Sequence, residues 1–316
     1  MTTKQMAILT AILIIVFLSM RFQWHKKLRG GLPGAMAGLA RSIRRGLAGV
    51  LYKQTEVQGY DLAYLEGGQG EMVILLHGFG TTKDHWMPVA RRLRGKVHMI
   101  IPDLPGFGES SRIGHNRYDI VSQVRRLRAF KEKLALPSFH LVGCHSGAAI
   151  AGIFASLFAQ DVLSLTLIEP FGIDSPEKAD VERLATRGWS PLTAGSEKDY
   201  QRVLGLLYAK PPKISSFTEQ ERLAQAIEAQ AFEEQAWKQM WENRPYLLEQ
   251  VLPEIKVRTL LFWGDSNKVA HQSGAKVVSQ GIPTVTPVLL RNCAHLMIVE
   301  RPKEIADRIL KFFAGA

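Results

Sequence analysis

Residues 139–151 read Phe139-His140-Leu141-Val142-Gly143-Cys144-His145-Ser146-Gly147-Ala148-Ala149-Ile150-Ala151. An apolar run of strand length enters a tight, glycine-flanked turn and leaves as a helix of small residues. Phe139 to Val142 predicts a buried strand, and 147–159 predicts the helix after it. A strand feeding a helix through so short a turn is the repeating unit of a mostly parallel sheet covered by helices on both faces.

Working outward, the same alternation recurs along most of the chain. An opening hairpin is expected over 55–65. Buried strands are expected at Met72 to Leu76, Val97 to Ile101, Leu163 to Ile168, Thr259 to Trp263 and Thr286 to Leu290. Helices are expected near 84–94, 118–135, 270–280 and 302–313. Residues 175–250 interrupt the pattern: they are rich in Glu, Gln, Ala and Leu and carry no strand signal. Lying between two strands, they predict an inserted helical lid. Five ordered motifs then carry a resemblance. His77-Gly78-Phe79-Gly80 follows a strand and looks like an oxyanion loop. Asp103-Leu104-Pro105-Gly106-Phe107-Gly108-Glu109-Ser110 is a D-x-P-G-x-G-x-S turn. Gly143 to Gly147 stands where a nucleophile elbow stands. Trp263-Gly264-Asp265-Ser266-Asn267 and Asn292-Cys293-Ala294-His295 are similar to an acid loop and a histidine loop. Together, over roughly 55–313, they resemble the α/β-hydrolases. Leu290 to Pro302 looks most like the membrane-anchored monoacylglycerol lipase branch.

The resemblance implies the parts of an ester hydrolase, and the residues supply them unevenly. Such chemistry needs a nucleophile on a sharp strand-to-helix turn, a histidine to take its proton, and a carboxylate to orient that histidine. It also needs backbone N–H groups to receive the oxyanion. His295 is the expected base. The oxyanion donors implied are the amide of Phe79 and that of the residue after the nucleophile, Ser146, with His77 and Gly78 shaping the loop. At the elbow two registers stay open. Without a gap, Gly143 and Gly147 are the small flanks and His145 stands where serine belongs. With one extra residue in the turn, Cys144 and Ala148 become the flanks and Ser146 the nucleophile. The acid position of the family pattern is Asn267, an amide without charge. Asp265, Glu169 and Asp174 are substitutes, and Glu169, at the end of the strand after the elbow helix, is the best of them.

Charge and hydropathy divide the chain. Net charge is +11, from 40 Lys and Arg against 29 Asp and Glu. Nine of those basic residues lie in 1–53, which hold no acid. The remaining 31 nearly balance the 29 acids, which excludes a nucleic-acid groove on the folded part and favours an anionic membrane surface as partner. Met6 to Met20 (MAILTAILIIVFLSM) is an uncharged run suited to a short or tilted membrane span. Its basic flank, Arg21, Lys26, Lys27 and Arg29, predicts an uncleaved single-pass anchor with the main domain in the cytoplasm. The expected organisation is an anchor over 1–29, a basic amphipathic linker helix over 30–53, and the sheet domain over 54–316 with its lid at about 175–250. In the linker Leu39, Ile43, Leu47 and Val50 recur at helical spacing, with Arg41, Arg44 and Arg45 elsewhere around the wheel. Such a helix lies on lipid or packs on the domain. Cys144 and Cys293 are expected to be free thiols. No cofactor is expected, for want of a phosphate-binding glycine pattern, and no metal, for want of zinc-ligand spacing.

Three functions are compatible with this sequence. One is a membrane-associated hydrolase of a lipid or carboxylic ester, with a small-molecule substrate entering under the lid. The second is a lipid-binding or regulatory protein that kept the pocket and lost the triad. The third is an enzyme using His145 and His295 as an acid–base pair. Fold alone does not choose, because function resides in the site.

Overall fold

The computed structural model describes residues 31–242 and 245–315, so the apolar run Met6–Met20 and the expected anchor over 1–29 lie outside the described residues. The chain enters through α1 (Gly31–Ala48) and the antiparallel strands β1 (Leu51–Val57) and β2 (Tyr60–Gly68). Then come β3 (Met72–Leu76), α2 (Met87–Leu93), β4 (His98–Pro102), α3 (Ile120–Lys133), β5 (Phe139–Cys144), α4 (Ser146–Leu157) and β6 (Val162–Ile168). The insertion is wholly helical: α5 (Asp180–Ala185), α6 (Glu197–Leu207), the long α7 (Ser216–Glu242) and α8 (Leu247–Val251). The fold closes with β7 (Thr259–Gly264), α9 (Gly274–Gly281), β8 (Val285–Leu290), α10 (Met297–Glu300) and α11 (Pro302–Phe313).

The eight strands form one sheet in the order β1-β2-β4-β3-β5-β6-β7-β8. From β4 to β8 every pairing is parallel, as short strands joined by helical crossovers require. Both sheet faces are covered. Alternate residues of β5 serve opposite cores: Leu141 joins the α3, α4 and lid side, whereas Val142 and Cys144 join the α2 and α11 side. The fold is the expected α/β sandwich with an inserted helical lid. Both cysteines are free and buried, Cys144 beside the elbow and Cys293 beside His295.

α1 packs one face on the domain. Ala37, Arg45 and Ala48 are buried against the domain, while Met36, Ile43 and Leu47 remain exposed. Val50, expected on the helical stripe, lies beyond the helix end and is buried in the core. Among the described residues no helix is long and apolar enough to cross a membrane.

Candidate active site

The elbow is built in the gap-free register. β5 runs through Cys144, and His145 takes φ 47° and ψ −114°, a strained backbone in the left-handed half of the map, before α4 begins at Ser146. The flanking glycines make the turn possible. A Cβ on Gly143 would lie 2.3 Å from the Gly147 carbonyl oxygen, and one on Gly147 would lie 2.4 Å from that of His77. The tip is pinned through its own peptide groups. The His145 N–H donates to the Ile168 carbonyl at 2.9 Å, and its carbonyl accepts from the N–H groups of Ala148, Ala149 and Phe171. Ser146 is thus the first helical residue, one position behind the tip.

His295 meets the tip from the opposite side. The imidazoles of His145 and His295 stand edge-to-face, 4.9 Å between centroids and 84° between planes. Behind His295, Glu169 brings Oε2 to 2.9 Å from Nδ1, although off the line of a ring N–H hydrogen bond. The other oxygen of Glu169 accepts the Gly264 N–H at 2.8 Å. Asn267 Nδ2 lies 3.5 Å from the same His295 nitrogen, at the limit of a hydrogen bond. Its carbonyl oxygen is committed to its own loop, accepting from the N–H groups of Val269 and Ala270. The other two acids stand elsewhere. Asp265 receives the Asn292 N–H and so ties the acid loop to the histidine loop, and exposed Asp174 pairs with Lys178. Glu169 is therefore the carboxylate brought to His295.

Burial sets the charge of this cluster. Glu169 is fully enclosed, and loss of solvent pushes its carboxyl well above the usual range. The same desolvation, followed by the neighbouring His145, pushes His295 well below the ordinary histidine value. His145 is held down to about 3 by burial alone, so its ring is a neutral imidazole at physiological pH. Its Nδ1 is buried without a hydrogen-bond partner. A neutral ring with an unsatisfied nitrogen facing an acid–base dyad can attack, or can share a proton with, a group entering the cleft.

The oxyanion loop is pre-set. His77 Nδ1 donates to the Gly78 carbonyl and Nε2 accepts the Leu104 N–H at 2.9 Å, which fixes the tautomer and ties the loop to β4. Gly78 lies against the tip, where a Cβ would come 3.1 Å from that of His145. The backbone N–H groups of Phe79 and Ser146 carry no hydrogen bond among the described residues.

The lid closes tightly over this floor. The cleft beside His145, lined by Phe171, Ile173, Trp237, Trp241, Tyr246 and Val269, leaves about 20 Å³ for solvent centres, room for a water or two. Of the large apolar lid residues Trp189, Leu204, Leu207, Phe217 and Trp237, the last faces inward, packing on Phe79 and donating its indole N–H to the Trp189 carbonyl. Trp189 and Phe217 are exposed instead. Leu204 and Leu207 pack with Tyr200 and Val203, so the lid keeps a small core of its own. Phe171, Trp241 and Tyr246 were missed by sequence reasoning. Trp237 and Trp241, four apart on α7, carried the only signal, since that spacing puts them on one helix face.

Comparison with known proteins agrees with this architecture. Residues 71–302 match the α/β-hydrolase fold family. The chain is 28% identical over 318 residues to monoacylglycerol lipase ABHD6 of Rattus norvegicus, covering 96% of this chain and 92% of the relative. It is 29% identical to Lipase 1 of Psychrobacter immobilis, over 82% of each chain. Among solved structures, a membrane phospholipase A described as a bacterial virulence factor superposes with a TM-score of 0.87. It is 31% identical, over 99% of both chains.

Proposed function

The chain belongs to the α/β-hydrolase fold family, and on that premise we propose that it is a membrane-associated hydrolase of lipid or other carboxylic esters working through His145, His295 and Glu169. The observation that carries this is the Glu169–His295 dyad aimed at the elbow tip across 4.9 Å, with the Phe79 and Ser146 amides free to receive an oxyanion. The relatives named as lipases and a phospholipase support the substrate class. The membrane association is supported by the apolar run at 6–20 with its basic flank, and by the exposed apolar row on α1. Full-length chain released from membranes by high salt would overturn that part.

In this reading the neutral His145 ring attacks the ester carbonyl with its lone pair. The carbonyl oxygen becomes the oxyanion held by the Phe79 and Ser146 N–H groups. As the C–O bond breaks, His295 passes the proton released by His145 to the departing alkoxide. An acyl-imidazole and an alcohol result. Water, deprotonated by His295, then splits the acyl-imidazole and restores His145 with release of the acid. Glu169 orients His295 for each transfer. A second reading, a protein without turnover, is supported by one observation: the closed cleft holds only a water or two beside His145, so an ester reaches it only if the lid opens.

Hydrolysis of a p-nitrophenyl ester separates the two. The proposed hydrolase turns it over, loses about 10² or more in rate with His145→Ala or Glu169→Gln, and keeps its rate with Ser146→Ala, which preserves the backbone donor. Loss of activity with Ser146→Ala alone would move the nucleophile to Ser146. An inert wild type that gains esterase activity with His145→Ser would establish the second reading. Asn267 needs no restoration there, since Glu169 already stands at His295.

A further inference from the structure

α1 and the lid helix α7 meet through Arg41, whose Nη1 donates to Glu221 at 2.7 Å. That contact fixes what lies on either side of it. Arg44 is one helical turn beyond Arg41, and Arg222 is the residue after Glu221. The carboxylates nearest Arg44 are already engaged. Glu221 holds Arg41, Asp84 receives both ends of the Arg45 guanidinium at 2.8 and 2.6 Å, and Glu109 is shared between Arg45 and Lys83. Neither Arg44 nor Arg222 makes an ion pair among the described residues, and both are half-buried, with the Tyr208 phenol hydrogen-bonded to Arg222. Burial first, and the charge of Arg222 second, lower the pKa of Arg44. Burial and then Arg222 also hold neighbouring His85 down to about 3. The phenols of Tyr200 and Tyr208, both buried, complete the surroundings of Arg222.

Two uncompensated guanidiniums edged by two phenol hydroxyls match the chemistry of a phosphate group. What borders them indicates where the phosphate comes from. Met36, Ile43 and Leu47 are 43%, 49% and 48% exposed and share one face of α1. At about 100° per residue, Arg44 lies between that apolar face and the buried face of Arg41, Arg45 and Ala48. An amphiphile seated with its chains along the row puts its headgroup at Arg44. We infer that Arg44 and Arg222 form a binding site for the headgroup of an anionic phospholipid, bridging α1 to the lid. The inference does not depend on turnover at His145. It requires only that α1 face lipid.

Thermal unfolding of the full chain in nonionic micelles tests it, with short-chain phosphatidylglycerol, matched phosphatidylcholine and inorganic phosphate as probes. Phosphatidylglycerol should raise the Tm saturably, and the other two should do so far less at equal concentration. Arg44→Gln/Arg222→Gln should weaken the phosphatidylglycerol effect about tenfold or more. Arg44→Gln alone should weaken it in the same direction, should the double variant fold poorly. Without lipid, Arg222→Gln should leave the Tm unchanged or raise it, because a like-charge repulsion is removed; a merely structural arginine would lower it. Equal stabilisation by phosphatidylcholine, or an undiminished effect in the variants, would overturn the site. Inorganic phosphate matching phosphatidylglycerol would overturn the lipid assignment in favour of a free oxyanion.

Discussion

Glu169 with His295 under the elbow, and Asp103 with Lys83 under α1, are both buried acid–base contacts, and they reach opposite charge states. At the elbow one carboxyl meets one imidazole with no further countercharge. Burial dominates there, driving Glu169 up and His295 down toward their neutral forms. Under α1, Lys83 touches both Asp103 and Glu109, and Arg45 adds Asp84 and a second hold on Glu109. Burial there is outweighed. It would raise Glu109, yet Lys83 and Arg45 hold that carboxyl at about 2, and Lys83 stays charged because Asp103 and Glu109 overcome its desolvation. The number of countercharges decides whether a buried carboxyl is fixed as an ion or left able to exchange its proton. Structure is built from the first kind and proton transfer from the second.

Acid should produce the largest separation between these regions. His85 and His145 are held down to about 3, chiefly by burial, so the unfolded chain binds protons that the folded chain refuses. Their stability is intact above the ordinary histidine value and is lost as pH falls below it, toward about 3 for His145. Two imidazoles then give about 3 kcal/mol per pH unit, on the order of 5 kcal/mol lost between pH ~6.5 and ~4.5. Urea unfolding across that range measures it. A flat profile down to pH ~3, where the ionic cluster under α1 alone would set the limit, would break the comparison.

Removing the central cation should be nearly as severe. Lys83→Met strands Asp103 and Glu109 without their shared partner, at a cost of about 3–5 kcal/mol from the urea midpoint at neutral pH. A loss under ~1 kcal/mol would mean that Arg45 holds the cluster alone. The smallest effect is expected at its rim. Arg41→Gln breaks a partly exposed pair with Glu221 and should cost about 0.2–1 kcal/mol, diminishing with salt. A loss above 2 kcal/mol would place Arg41 within the buried cluster rather than beside it.

Much of this molecule can be read along the chain, and the parts that cannot share a cause. The seven strand signals, the helices between them and the strandless interval 175–250 are local patterns, and each appears in place within a few residues. Arg45 could not be read that way. On the helical wheel it is one more basic residue of an amphipathic helix, and its burial against Asp84 and Glu109 depends on loops 39 and 64 residues further on. The lid misled for a related reason. A large aromatic residue in the insertion does not say whether it covers a neighbour, as Trp237 does on α7, or stays in solvent, as Trp189 does on a loop.

The sequence by itself determined that a glycine-flanked turn joins β5 to α4 and that Asn267 brings no charge, and it left His145 and Ser146 both open at the tip of that turn. These follow from residue identity and short-range sterics: only glycine at 143 and 147 lets the strand and helix approach so closely. The tertiary structure alone decided which carboxylate serves His295. Asp265 and Asn267 sit in the loop after β7, whereas Glu169 stands just after β6, 95 residues before Gly264. It reaches the site because β6 pairs beside β7, and the parallel register of Leu165 with Thr259 brings the ends of those strands together. Separation along the chain carries no distance until the strand order is set, and that order comes from packing the whole sheet.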